Sequence, residues 1–316
     1  TFDLVTFQKD LQEFSLANYL DEEINIDKLN QREVESNITI VHRTDFNNYL
    51  KEIWGYIKPR IEYIPEKAIS ISNRTVTLSN NEVIDGSIVV ASGNNSKLNV
   101  PIWNRRYISE GKSSNYKRFL DKKVSTKNHI AVIGSGQNAA EVAYDLKKRG
   151  YKVTILTKHK SKVDKYPLPT YKDLGVRTAL GDYYRRLPLK DKVNYLKDIK
   201  KWQPSITPYI DSKLKEFKVN KFTLTGTRDL NRLTPIDYYI LCAGFKPNIN
   251  NVPLEINEDT YELLPNFPIL NKGFISNKGI YYTGLLATGY DGPRQGSLIS
   301  IGETSEEIIN HYKENG

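Results

Sequence analysis

The sequence reads as an α/β protein. Three observations predict this. From His129 to Thr157 a long apolar strand, a Gly-rich turn, an amphipathic helix and a second strand follow one another as a βαβ unit. Two further strands, SIVVASG ending on Gly93 and DYYILCAGF running through Gly244, end on small residues as crossover strands do. A length of 316 residues accommodates about two domains at roughly 150 residues each. Together they indicate two Rossmann-like, nucleotide-domain-like parts, with a small antiparallel β-meander and a helical region.

In chain order, Phe14 to Leu20 reads as a helix and Ile38 to Val41 as a strand. Thr44 is a natural N-cap for a helix to Tyr56, on which Phe46, Tyr49, Leu50, Ile53 and Trp54 recur at helical spacing to make one apolar face. AISI, RTVTL and NEVI read as three strands of a meander with a tight turn at Ser72, Asn73 and Arg74. SIVVASG is then a buried strand. HIAVI, GSGQ, NAAEVAYDLKKRG and YKVTILT form the βαβ unit. Residues 161 to 216 are rich in Lys, Tyr and Pro and read as helical pieces broken at YPLP, LPL and QPSITP. KFTLTGT and DYYILCAGF return to β-structure, and IYYTGL, a Gly-rich loop and a helix from about Ser297 close the sequence.

Composition excludes several classes. The net charge is +9, from 46 Lys plus Arg against 37 Asp plus Glu, but the lysines spread from Lys112 to Lys221 without any nucleic-acid-binding pattern. A solvated basic surface is expected, and no nucleic-acid partner. One cysteine, Cys242, cannot make a disulfide, a Cys-rich zinc module or a CxxC redox pair. No metal site is expected among four His and one Cys, and His42, His129 and His311 read as structural or solvated. No apolar run approaches the ~20 residues of a membrane span, and no signal-peptide pattern appears, so a cytoplasmic protein is expected. The sequence has no Met and opens at Thr1 inside what reads as an element, so either a disordered or missing N-terminal segment or the omission of modified methionines is expected.

The strongest local motif is GSGQNAAE, Gly134 to Glu141, directly after an apolar strand and opening a helix, where a dinucleotide fingerprint belongs. Gly134 allows the tight turn, Gly136 lets the backbone approach a pyrophosphate, and Ala139 permits close helix-to-strand packing, with Ser135, Gln137 and Asn138 completing the cofactor-binding turn. The helix start offers free amides and a partial positive charge to the phosphates. At the end of the second strand an NAD site would place a carboxylate, whereas Lys158, His159 and Lys160 stand here, which favours the 2′-phosphate of NADPH. With no triad and no metal cluster to receive a hydride, a bound cofactor is the natural acceptor, and two nucleotide-domain-like parts point to a flavin. Its expected contacts are the small-residue strand ends, Gly93 with Asn94 and Ala243 with Gly244, since ligands of such sheets lie beyond the carboxyl ends of the strands.

These residues carry a resemblance. DLVTF, FSLANYL and HRTDFNNYLKEI resemble the flavin-domain segment of the N-hydroxylating monooxygenases that act on lysine or ornithine side-chain amines in siderophore synthesis. IVVASGNNSKLNVP, GSGQNAAEVAYDL, DYYILCAGFKPN and TGYDGPRQGSLIS resemble, in order, that family's first small-residue strand end, NADPH fingerprint, ATGY-like strand end and C-terminal flavin-contacting segment. The resemblance covers nearly the whole sequence. It implies an FAD domain, residues 1–105 and 246–316, interrupted by an NADPH domain, residues 106–245, with a helical substrate region at 161–216. It further implies that NADPH reduces FAD, that O2 adds to give a C4a-hydroperoxyflavin, and that a neutral primary amine takes up the distal oxygen. By the same resemblance Gln137 lies near flavin and nicotinamide and protects the intermediate, Ser297 approaches flavin and substrate, and Ser300 is a second choice for that contact. A homo-oligomer is expected.

The sequence departs from the family pattern at three places. The first flavin fingerprint would precede Thr1 and has no counterpart; Phe2 and Asp3 stand where the family has lysine and aspartate before LVT; and KKWQPSI aligns with KxTNYS, giving Ser205 as a substrate contact but no asparagine. An amine without a carboxylate, such as histamine or a diamine, therefore competes with lysine and ornithine as substrate. The rival readings are another NADPH-dependent flavoprotein oxidoreductase, disfavoured by the absence of FxGxxxHxxxW, and a non-catalytic nucleotide-binding relative.

Overall fold

The computed structural model describes residues 43–93, 97–163, 181–197, 205–224, 229, 235–255, 257–296 and 299–315. The chain divides into two compact units, Thr1–Glu66 and Lys67–Gly316. The readings at Phe14 to Leu20 and Ile38 to Val41 lie outside the described residues, as does His42.

In the first unit, helix α1 (Arg43–Ile57) runs into a short 3-10 turn, Lys58–Arg60. Thr44, the expected N-cap, is the second residue of this helix. The expected apolar face is only partly covered: Phe46, Tyr49 and Ile53 are half-buried, whereas Leu50 and Trp54 are exposed. Local ring contacts close the helix end instead. Trp54 meets Tyr63 edge-on at 4.9 Å, and the Arg60 guanidinium lies 3.6 Å from the Tyr56 ring centre.

The second unit opens with the meander β1 (Ala68–Ile71), β2 (Thr75–Leu78) and β3 (Val83–Asp85), all antiparallel. The Ser72 to Arg74 turn is pinned by the Thr75 N–H donating to Ser72 Oγ at 3.2 Å and by the Ser72 N–H donating to Thr75 O at 2.9 Å. Next, β4 is only Val89–Val90, with Val89 exposed, so the expected buried strand SIVVASG is short and covered on one face. It pairs in parallel with β16 (Tyr281–Tyr282) from the far end of the chain. Around this pair a core draws on residues before 106 and after 245, among them Ile71, Val90, Ile249, Phe274, Tyr282 and Ile308.

Between these halves lies a five-stranded parallel sheet in the order β11 (Asn220–Thr223), β8 (Lys152–Thr157), β7 (His129–Ile133), β12 (Tyr238–Leu241), β6 (Ser113–Ser114). Both faces are covered, which is why β7 and β12 read as uninterrupted apolar runs and are buried throughout. Helix α2 (Gln137–Lys148) packs Ala139, Ala140, Ala143 and Leu146 on one face with Phe119, Ile210 and Leu214; Trp103 and Tyr107 cover Ala131, Tyr239 and Leu241 on the other. His129 is structural. Its Nδ1 lies 3.0 Å from Pro235 O and its Nε2 2.8 Å from Thr154 Oγ1. The carbonyl can only accept, so Nδ1 carries the proton and Nε2 accepts from the hydroxyl.

Two expected breaks turn out to be helix starts. Pro188 immediately precedes α3 (Leu189–Lys197), and α4 (Pro208–Glu216) has Pro208 in its first turn and Thr207 as N-cap. Proline at the first helical position forgoes only an N–H that would be unpaired anyway. The expected Gly-rich loop after β16 is a run of short helical turns, Gly284–Ala287, Thr288–Asp291 and Pro293–Gly296, before the final helix α5 (Ile299–Asn315). No helix among the described residues is long and apolar enough to cross a membrane.

Candidate dinucleotide and flavin site

The fingerprint turn leaves β7 at the point where the connections of the sheet diverge, with β8 on one side and β12 on the other. Such a switch point opens a crevice beyond the strand ends. Gly134 has φ +152°, and a Cβ there would lie 2.3 Å from the Cys242 carbonyl oxygen and 3.0 Å from Ala139 Cβ. Strand ends on both sides hold it: the Gly134 N–H donates to Leu156 O at 2.9 Å, and the Cys242 N–H donates to Ile133 O at 2.8 Å. Only glycine fits. Gly136 is the N-cap of α2 in extended conformation and, being glycine, gives no side-chain cap. The twelve-residue helix therefore starts with the positive end of its dipole at a glycine N-cap, which has no side chain to bond its first amides. Ser135 is half-buried and Asn138 exposed, while Ala139 is packed against the sheet. Lys158 and Lys160 are exposed and His159 half-buried, immediately after β8 ends at Thr157.

Ala243 and Gly244 follow the neighbouring strand. The Asn99 N–H donates to Gly244 O at 2.9 Å and Asn99 Nδ2 to Ala243 O at 3.3 Å, so this strand end is tied to the segment after β5 (Lys97–Leu98). Gly93, with φ +57°, lines a separate cleft with Ser92, Pro247, Asn248, Val252, Leu285 and Leu286. The structure thus brings Gly134 against Cys242, and Gly93 beside the 247–248 and 285–286 segments.

A family model described as L-lysine 6-monooxygenase/L-ornithine 5-monooxygenase matches residues 2–203. The chain belongs to this family. The fold agrees with solved structures of family enzymes. The ornithine hydroxylase PvdA from Pseudomonas aeruginosa is 16% identical with a TM-score of 0.69, over 96% of this chain and 82% of that one. DfoA, the cadaverine monooxygenase from Erwinia amylovora solved with FAD, is 16% identical with a TM-score of 0.70, over 99% and 82%. The Kutzneria sp. 744 ornithine N-hydroxylase KtzI is 15% identical with a TM-score of 0.71, over 98% and 85%. No curated protein matches the chain. The architecture is accordingly the family's α/β fold, with Rossmann-like FAD and NADPH domains.

Gln137 joins the fingerprint helix to a second helix. Its Oε1 accepts the Thr207 N–H at 2.9 Å, and its Nε2 donates to Glu141 Oε1 at 2.9 Å and to Thr207 Oγ1 at 3.4 Å. In a capping box a Glu or Gln at the third position of a helix would accept that N-cap amide. In α4 that position is Ile210, so Gln137 supplies the acceptor from another helix. The clasp ties the fingerprint helix to β10 (Ser205–Ile206), whose Ser205 is buried two residues before Thr207. Ser300 is buried in the first turn of α5, on a different element. Asn94 and Ser297 lie outside the described residues.

Sequence reasoning missed the Gln137–Thr207 clasp and a buried ion-pair network at Arg185. The pair Thr207-Pro208 did carry the N-cap and first-turn signal, which the reading of QPSITP as a breaker overlooked. Nothing local in the sequence marked Arg185.

Proposed function

We propose that this chain catalyses FAD- and NADPH-dependent N-hydroxylation of a primary amine in siderophore biosynthesis, with lysine, ornithine, histamine or a diamine as the candidate substrates. The observation that carries the reading is the uncapped glycine turn at the switch point, where Gly134 is pressed against Cys242 and the start of α2 is left for an anion. The residues fit a dinucleotide: the N-cap of the fingerprint helix is a glycine, and the strand that would present a carboxylate to an NAD ribose is followed by Lys158 and Lys160.

When bound, the nicotinamide supplies hydride and the flavin passes electrons to dioxygen. The chain's own residues then have defined tasks. Gly134 and Gly136 admit the diphosphate to the backbone, and the α2 dipole favours its charge. Lys158 and Lys160 attract the 2′-phosphate. Gln137 holds the start of α4 and with it the Ser205 segment at the fingerprint turn. Ser205 and the Ser297 to Ser300 stretch contact the substrate. The amine must arrive deprotonated and shielded from water, because only its free lone pair can accept oxygen.

The test is hydroxylamine formation from a panel of lysine, ornithine, histamine, putrescine and cadaverine with NADPH and added FAD. One amine giving stoichiometric hydroxylamine per NADPH supports the proposal. Uncoupled NADPH oxidation to peroxide with every amine refutes it, and failure of the full-length protein to retain FAD favours a non-catalytic relative.

A further inference from the structure

The turn that carries Lys158, His159 and Lys160 has its two ends in different parts of the fold. Its near end is Thr157, the last residue of β8, where the Leu224 N–H donates to Thr157 O at 2.7 Å and the Thr157 and Thr223 hydroxyls lie 3.3 Å apart. The far end is β9 (Lys162–Val163), which lies outside the five-stranded sheet. There Lys162 and Val163 pair in parallel with Ser205 and Ile206 of β10. Both β9 residues are exposed, whereas both β10 residues are buried, Ile206 within the core that α2 covers. β9 therefore gains little from burial and takes its place from β10.

β10 is in turn fixed to the fingerprint helix. One residue past it, the Thr207 N–H donates to Gln137 Oε1 at 2.9 Å, and Gln137 is the first residue of α2, next to Gly136. Gln137 Nε2 also donates to Glu141 Oε1 and Thr207 Oγ1, so the amide cannot flip without setting donor against donor and acceptor against acceptor. A pair of two-residue strands is too short to hold itself, and the clasp gives it an anchor with a fixed direction. A closed ring results: β8, the lysine turn, β9, β10, Thr207, Gln137, and back through the glycine turn to β7, which pairs with β8. Both proposed phosphate turns lie on it.

We propose that Thr207 is a positioning residue for cofactor choice: held by Gln137 and continuous with β10, it sets the far end of the lysine turn relative to the fingerprint turn and so places Lys158 and Lys160 for a 2′-phosphate. This rests on the reading of the dinucleotide as NADPH. The diphosphate common to NADPH and NADH is served by the glycine turn, so what Thr207 governs is the difference between the two cofactors.

The test uses the full-length, FAD-loaded protein and two ligands that differ by one group, 2′,5′-ADP and 5′-AMP. Gln137→Leu removes the acceptor and leaves the α4 cap in place. Thr207→Pro removes the N–H at a φ of −69°, which proline adopts without strain, and Thr207→Ser keeps both N–H and hydroxyl. Calorimetric titration is expected to show 2′,5′-ADP binding weakened about 3- to 10-fold in the first two variants, the scale of one directed hydrogen bond, with 5′-AMP binding within about twofold and Thr207→Ser like wild type. Hydrogen exchange without ligand should quicken in peptides spanning 158–163 as well as 205–207, and not in 129–133 or 238–241. Unchanged exchange at 158–163 overturns the inference, because the clasp then holds only its own neighbourhood. Equal weakening of both ligands overturns it too, since it marks a merely structural bond. If wild type binds 2′,5′-ADP no better than 5′-AMP, the NADPH reading fails and the inference with it, whereas a preference for 2′,5′-ADP that survives in every variant overturns the inference alone.

Discussion

Replacing Gly134 by alanine tests the fingerprint turn through a quantity the geometry fixes. The new methyl would sit 2.3 Å from the Cys242 carbonyl oxygen, 2.9 Å from its carbon and 3.0 Å from Ala139 Cβ. None of these can retreat freely. Cys242 is tied to Ile133 and Gly134 to Leu156 by backbone hydrogen bonds, and Ala139 belongs to the helix packed on the sheet. Holding a non-glycine residue in a sparsely populated conformation costs about 1–3 kcal/mol, and forcing a methyl into a filled space a further ~1–3 kcal/mol. The sum, about 2–6 kcal/mol, lowers the melting temperature by at least ~4 °C at ~2–4 °C per kcal/mol. Gly244→Ala is the control: its φ is +78°, but a methyl there meets nothing within 4 Å, so only the conformational cost of about 1–2 kcal/mol remains. Thermal unfolding by circular dichroism, with and without NADP+, makes the comparison. Gly134→Ala should melt below Gly244→Ala and lose the stabilisation that NADP+ gives wild type. If Gly134→Ala melts within ~2 °C of wild type, or no lower than the control, the close-packed turn is wrong.

Three other expectations follow from particular residues. Reversing Lys158 and Lys160 to Glu should raise the KM for NADPH roughly 10- to 100-fold and leave that for NADH within a few-fold, since each charge-assisted bond contributes ~1.5–3 kcal/mol; equal effects on both cofactors in steady-state kinetics would remove the 2′-phosphate from this turn. Gln137→Ala leaves the buried Thr207 amide without its acceptor, at a cost of about 1–3 kcal/mol, seen as faster hydrogen exchange over 205–216; unchanged protection there would show that the clasp is dispensable. Burial is the main cause holding His129 below the ordinary histidine pKa, so the unfolded chain takes up its proton first; the stability His129 contributes is complete above about pH 6.5 and is lost as pH falls toward its folded value. Denaturant unfolding from pH 8 to 5 should show this loss, and His129→Gln should flatten it; an identical slope in the variant would place the proton elsewhere.

The fingerprint was legible because its chemistry is local. A strand, two glycines and a helix within Ile130 to Lys148 specify a turn whatever surrounds it, and Lys158 to Lys160 follow at a spacing the βαβ unit dictates. The meander was legible for the same reason: alternation and turn residues within Ala68 to Asp85 set its register. Proline misled in both places where its sign depends on position, since Pro188 and Pro208 begin helices that a breaker rule ends.

The sequence by itself determined the βαβ unit, its glycine turn and the family. Tertiary structure alone decided which distant groups meet. Gln137 and Thr207 are 70 residues apart, and Arg185 and Asp291 are 106 apart. Each of these bonds joins a donor and an acceptor whose neighbours in sequence say nothing of the partner. Their directions are fixed only when α2 docks beside α4 and the 181–186 stretch docks on the chain's C-terminal turns, because a hydrogen bond depends on distance and angle in space while a motif depends only on spacing along the chain.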